Sequence, residues 1–178
     1  SKANVLIYNG AGFEDWVEKA IKNLDPQKTH VVNTSEGLEL AKRNGRIDPH
    51  IWLDLQMAKA QARAIRDAFV RVDTTHANDY EENYVKLAKQ LDELDSEYKD
   101  MVRRAPKREF VVSHAAFHYL AERYDLKQIA VTGISPLEEP SPKELQKLIN
   151  TVKNYKVKYI FFETLASNRL ANVIKNEV

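Results

Sequence analysis

The 178-residue sequence carries 27 basic and 26 acidic side chains, a net charge of +1, with 43% apolar and 30% charged residues, the balance of a folded globular chain. Near-neutral charge argues against a dedicated nucleic-acid or membrane-surface binder, which carries a basic excess. The absence of cysteine removes disulfides, zinc-thiolate fingers, iron–sulfur clusters and thiol nucleophiles, and no apolar run reaches the roughly 18 residues of a membrane span.

The chain opens at Ser1-Lys2-Ala3-Asn4 without a charged-then-apolar signal segment, and we read it as starting inside a domain. Asn4 to Tyr8 is a short apolar run closed by Asn9-Gly10-Ala11-Gly12, a buried strand followed by a glycine turn. That turn lacks the third glycine and the Lys-Ser/Thr of a phosphate cradle. Apolar residues at 13, 16, 17, 20, 21 and 24 have helical spacing and predict a helix over 13–24. Thr29 to Asn33 reads as a second strand, 35–42 as a brief helix, and 43–46 as a polar loop.

The next stretch, Asp48-Pro49-His50-Ile51-Trp52-Leu53-Asp54, is the candidate centre of the chain. Pro49 has a fixed φ and biases Asp48 toward an extended conformation, so His50 leaves the turn in a defined direction. A neutral imidazole gives one nitrogen to a metal and needs a carboxylate or carbonyl to hold the other. Asp48 and Asp54 are the nearby candidates for that support. A histidine at a helix entry with no ligand is the alternative, and this stretch alone does not decide between them.

Leu55 to Val72, rich in Ala, Gln, Arg and Lys, predicts a helix, and 73–78 a break. From Asp79 to Arg104, apolar residues at 80, 84, 87, 88, 91, 94, 98, 101 and 102 recur every three to four positions. This pattern fits a short coiled coil or a long helix bracing two lobes; Ala105-Pro106 ends it. Beyond it, strands at 109–113, 128–132 and 157–162 alternate with helices at 115–124, 142–154 and 165–175, with a loop at 133–140. Ser141, Pro142 and Glu144 supply an N-cap, a first-turn proline and a capping-box partner. Such alternation implies parallel pairing, with ligands beyond the carboxyl ends of the strands. His114 and Glu163 both stand at such ends. His114 is a candidate metal ligand or a capping or core residue. His118 is four residues on, and with His114 on one helix face the two would make an i, i+4 pair. No glutamate lies between them, so the His-Glu-x-x-His protease pattern is absent. His118 is read as half-buried or as a support beside a metal; His30 and His76 as structural or surface residues.

Four segments together carry a resemblance: Asn9 to Trp16 (NGAGFEDW), Asp48 to Asp54 (DPHIWLD), Val112 to Tyr124 (VSHAAFHYLAERY) and Phe161 to Ser167 (FFETLAS). They resemble, in order and across essentially the whole chain, the zinc/manganese solute-binding proteins of bacterial ABC importers, called cluster A-I. The resemblance implies a bilobal α/β metal-binding protein, two small lobes joined by a long rigid helix. Here that would divide the chain into a partial N-terminal lobe at 1–78, a linking helix at 79–104 and a partial C-terminal lobe at 105–178. It implies His50 and His114 as metal ligands, with Asp48, Asp54, His118 and Glu163 as supporting candidates. A histidine at the His114 position goes with zinc in this family, and imidazole donors suit zinc better than manganese.

The family's first ligand histidine normally precedes the Asn-Gly-Ala-Gly strand, and its carboxylate ligand follows the last helix. The resemblance therefore implies a chain incomplete at both ends, offering part of a coordination shell. Leu55 stands where proline is usual, His118 where glycine is common, and 43–47 where zinc members often carry a histidine-rich loop. The implied role is a non-enzymatic, extracytoplasmic zinc-capturing subunit, periplasmic or lipid-anchored, that delivers the ion to an ABC permease. Two other classes compete: a zinc-dependent hydrolase, for which no motif nominates a general base, and a metal-free interaction module built on the long helix.

Overall fold

A computed structural model of the protein describes residues 3–43, 45–135, 141–157, 159–161 and 169–177. The fold is mixed α/β and divides into two compact units, Ser1–Tyr98 and Lys99–Val178. The boundary falls inside the longest helix, most of which belongs to the first unit.

In the first unit, β1 (Val5–Tyr8) and β2 (His30–Asn33) pair in parallel, with Val5 opposite His30 and Tyr8 opposite Asn33. Between them α1 (Val17–Ile21) has only five residues, much shorter than the helix that apolar spacing predicts over 13–24. The reason is local. Gly10, Ala11 and Gly12 all have positive φ and form a turn before the predicted start, and bend and turn continue through Trp16 before the helix opens. Phe13 and Trp16 are exposed, so two members of the apparent stripe are not core residues at all.

The helix expected over 35–42 is absent. The Asn33 carboxamide oxygen accepts from the Ser35 amide at 3.0 Å and the Ser35 hydroxyl at 2.7 Å. Such local side-chain bonding competes with a helix for the same amides, and Gly37 follows at φ 76°. The chain then runs extended into a hairpin of β3 (Lys42–Arg43) and β4 (Arg46–Ile47), where composition reads as a loop.

After a 3-10 turn at Ile51–Leu53, α2 (Leu55–Val72) has the limits its composition predicts. Asp54 is its N-cap, accepting from the amides of Gln56 at 2.8 Å and Met57 at 3.1 Å. Asp73 closes the helix and turns the corner through a 3-10 turn at Thr74–His76 into α3 (Ala77–Arg104). On α3, Ala88, Asp95 and Val102 form a buried row, while Leu87, Leu94 and Met101 form an exposed one. A small residue and an acid on the buried row are poor knobs for a coiled-coil seam. Contacts from α2 run instead to the early and middle part of α3: Phe69 on Tyr80, Arg66 to Glu81 and over Tyr84, and Lys59 to Asp92. Their order makes the two helices antiparallel.

The corner carries a pH dependence. The Asp73 carboxylate accepts from His76 Nδ1 at 2.7 Å and from the Tyr80 hydroxyl at 3.0 Å. The hydrogen bond to Asp73 raises the His76 pKa, and the bond from His76 lowers that of Asp73. Asp79 adds to the pull on the imidazole. A raised histidine value means its contribution is full below the ordinary 6.5 and disappears as pH rises through the higher folded value. The depressed Asp73 contributes above its ordinary range and fades only as pH falls through its lower folded value. His76→Ala should therefore lower the urea midpoint more at about pH 5.5 than at about pH 8.5, by a small amount because the pair is exposed. Equal losses at both pH values would show that the imidazolium form adds nothing.

In the second unit, β5 (Glu109–His114) is the central strand, with β6 (Lys127–Thr132) on one side and β7 (Ile160–Phe161) on the other, all parallel. Val111 and Val112 are adjacent yet both buried, as a strand covered on both faces requires. The core gathers Val111, Ile129, Val131, Ile149, Val152 and Ile174 from β5, β6, α5 (Pro142–Tyr155) and α6 (Arg169–Glu177). α5 opens with the expected capping box, Ser141 and Glu144 bonding reciprocally. α4 (His118–Arg123) starts three residues later than predicted, after a bend at 115–117. Residues 136–140 of the expected loop, and 162–168 at the end of the expected strand and the start of the last helix, lie outside the described residues. No described helix is long and apolar enough to cross a membrane.

Candidate metal centre

The Asp-Pro-His turn builds its own support. Asp48 is fully buried, and its Oδ1 accepts from the His50 amide at 3.1 Å and from His50 Nδ1 at 2.7 Å. One carboxylate oxygen thus holds both the backbone and the ring of the residue two positions on. A carboxylate acceptor at Nδ1 favours the proton on that nitrogen, the tautomer in which Nε2 is the atom that ligates a metal. His50 is itself buried, and its ring lies 5.5 Å from that of Trp52, which meets Phe13 edge-on at 5.5 Å. Asp54, the other carboxylate of the motif, accepts through Oδ1 from the amides that open α2.

The Asn9-Gly10-Ala11-Gly12 turn is no phosphate cradle. The amides of Asn9 and Gly10 donate to the two Glu14 carboxylate oxygens at 2.8 and 3.1 Å, so the anion that fills the turn is its own. The turn serves a different purpose, one that spacing in the sequence does not reveal. The Asn9 carboxamide donates to the Pro49 carbonyl at 3.0 Å and accepts from Gln61 Nε2 at 3.0 Å. Gln61 also donates to the Thr34 hydroxyl at 2.8 Å, which in turn donates to the carbonyls of Tyr8 and Asn9. Gln61 and Thr34 are both buried. Four segments, the ends of β1 and β2, the Asp-Pro-His turn and the middle of α2, meet in this polar network. A glutamine on the inward face of an otherwise ordinary surface helix is the signal that could have found it.

In the second unit, His114 is the last residue of β5, buried, with its Cα opposite Thr132. The Ala115 amide donates to the Gly133 carbonyl at 2.9 Å, carrying the pairing one step past the strand end. His114 therefore stands where a parallel sheet places its ligands, at the carboxyl end of the central strand. It does not share a helix face with His118, as an i, i+4 pair would require: His114 is strand, and His118 is the first residue of α4. The strand persists to 114 because its amides continue the parallel ladder, and the helix that follows opens only at 118. His118 is half-buried, with Nε2 3.6 Å from Glu122 and its ring on Tyr119. Glu163 lies outside the described residues. His30 sits in β2, half-buried, and His76 in the Asp73 corner. Among the described residues, no group of three or more His, Asp or Glu gathers closely enough to hold an ion.

The two units are parallel-stranded α/β, each with a buried histidine, one at a turn and one at a strand end, and this defines the mixed α/β class. Comparison with known proteins narrows it. All of residues 1–178 match the family described as ZnuA, the periplasmic component A of a zinc-uptake complex, and the chain belongs to this family. It is 32% identical over 191 residues to the high-affinity zinc uptake system protein ZnuA of Bacillus subtilis, covering 99% of this chain and 60% of that protein. It is also 32% identical over 190 residues to the zinc-binding lipoprotein AdcA of Streptococcus pneumoniae, covering 98% of this chain and 38% of that one. Among solved structures, AdcAII of S. pneumoniae superposes with a TM-score of 0.89 at 37% identity, over 97% of this chain and 66% of that one. The chain thus spans between about a third and two thirds of the length of these relatives.

Proposed function

We propose that this chain is the zinc-capturing part of an extracytoplasmic solute-binding protein that delivers the ion to an ABC permease. His50 and His114 each supply one imidazole, and no chemistry is performed on the cargo. The observation that carries the reading is the buried Asp48–His50 pair, which holds a ring in the tautomer a metal ligand needs. The family's zinc-uptake description and the zinc-binding relatives support zinc as the ion. Neutral nitrogen donors accord with that choice over manganese. The family description also supports a location outside the cytoplasm.

Zinc titration calorimetry on the chain, His50→Ala and His114→Ala tests the proposal. One-to-one binding is expected, weakened on the order of 100-fold or more in each variant, because each removes a directly bonded ligand. Binding indifferent to both substitutions would overturn the assignment of these two residues.

A further inference from the structure

We infer that Asn9, held in place by Gln61, is a positioning residue for His50. The inference rests on the reading of His50 as a zinc ligand and extends it to residues that touch no ion. The peptide between Pro49 and His50 is gripped from two sides. Its carbonyl, on Pro49, accepts from Asn9 Nδ2 at 3.0 Å, and its N–H, on His50, donates to Asp48 at 3.1 Å. Those two bonds set the plane of the peptide from which the His50 side chain departs. Asp48 then sets the ring. The donor that Asn9 presents to Pro49 is aimed by the bond its own oxygen accepts from Gln61. A carboxamide whose oxygen is engaged by a donor cannot flip without losing both bonds. Gln61 is fixed in turn by Thr34, at the end of β2. The direction of the imidazole is thus referred back to the parallel strand pair through two side-chain amides and a hydroxyl. A ligand held only by its own flexible turn would have no such reference.

Two readouts separate positioning from mere structural support. The first is zinc affinity in a double-mutant cycle. Asn9→Ala should weaken zinc binding about 10-fold in the otherwise unaltered chain, yet shift the residual affinity by less than about 2-fold in the His50→Ala background. The second needs no zinc. Long-range nitrogen–proton NMR of the histidine rings at about pH 8, where free imidazole is neutral, should show His50 protonated at Nδ1 in the parent chain and a mixture of tautomers in Asn9→Ala. Gln61→Leu, which fills similar volume and touches neither Pro49 nor His50 through its amide, should shift both readouts in the same direction, and it decides the matter if Asn9→Ala does not fold. Equal loss of affinity in both backgrounds with an unchanged tautomer would overturn the inference and leave a structural network only. If His50→Ala itself leaves zinc binding intact, the ligand reading fails first and this inference with it.

Discussion

Asp48→Ala should weaken zinc binding by about 10- to 100-fold, the usual cost of removing the partner that orients a ligating histidine. It should also lower stability by about 3 kcal/mol, because two buried donors lose one acceptor together. The carboxylate is completely buried, and it faces both the His50 amide and the His50 ring. Alanine removes the acceptor of that N–H and frees the ring to rotate and change tautomer. Asp48→Asn keeps the volume and one acceptor oxygen but removes the charge that strengthens bonds to it, so its losses should be intermediate. Competition against a chromophoric chelator and urea unfolding give the two quantities. Zinc affinity unchanged in Asp48→Ala would mean that His50 either does not ligate or does not depend on this support.

Gly10→Ala should destabilise the chain by about 3 kcal/mol, whereas Gly12→Ala should cost only about 1 kcal/mol. Both residues have a φ of 77°, so both carry the left-handed penalty of an L-residue. They differ in what a new methyl group meets. At Gly12 nothing lies within 4 Å, but at Gly10 a Cβ would fall 1.9 Å from Asn33 Oδ1 and 2.4 Å from Ser35 Oγ. Those atoms are not free to swing aside. Asn33 Oδ1 accepts two bonds from Ser35, and Ser35 Oγ accepts the Ala11 amide at 3.0 Å. Relieving the clash breaks the bonds that tie the turn after β1 to the end of β2. Urea denaturation of the two variants makes the comparison, and equal losses would show that the space around Gly10 does not matter.

Several features were legible in the residues because their causes are local. α2 has its predicted limits since an Asp sits at each end, Asp54 as the N-cap and Asp73 at the exit. The Ser141–Glu144 capping box lies within three residues and needs no tertiary partner. The support of His50 by Asp48 spans two residues across a proline and could be anticipated from the turn alone. Where patterns misled, a local rule was overruled by another that spacing does not register. Apolar residues at 13 and 16 mimic a helix face, but a turn that runs on to Trp16 and solvent at Phe13 and Trp16 decide otherwise. The Asn33–Ser35 bonds and Gly37 replace a helix at 35–42 with a turn and a hairpin.

From the residues alone came the mixed α/β class, the parallel strands of the second unit, the long α3 and the two histidines that carry the family's motifs. Periodicity, caps and turn residues act over a few positions, and a chain records them directly. Only the tertiary structure decided what surrounds His50. The bond from Asn9 to Pro49 joins residues 40 apart in the chain, and that from Gln61 to Asn9 residues 52 apart. Gln61 is marked in the chain only as a polar residue on an inward helix face, and nothing local says that its partner is Asn9. A buried carboxamide becomes meaningful only when folding brings it a donor and an acceptor that water can no longer replace.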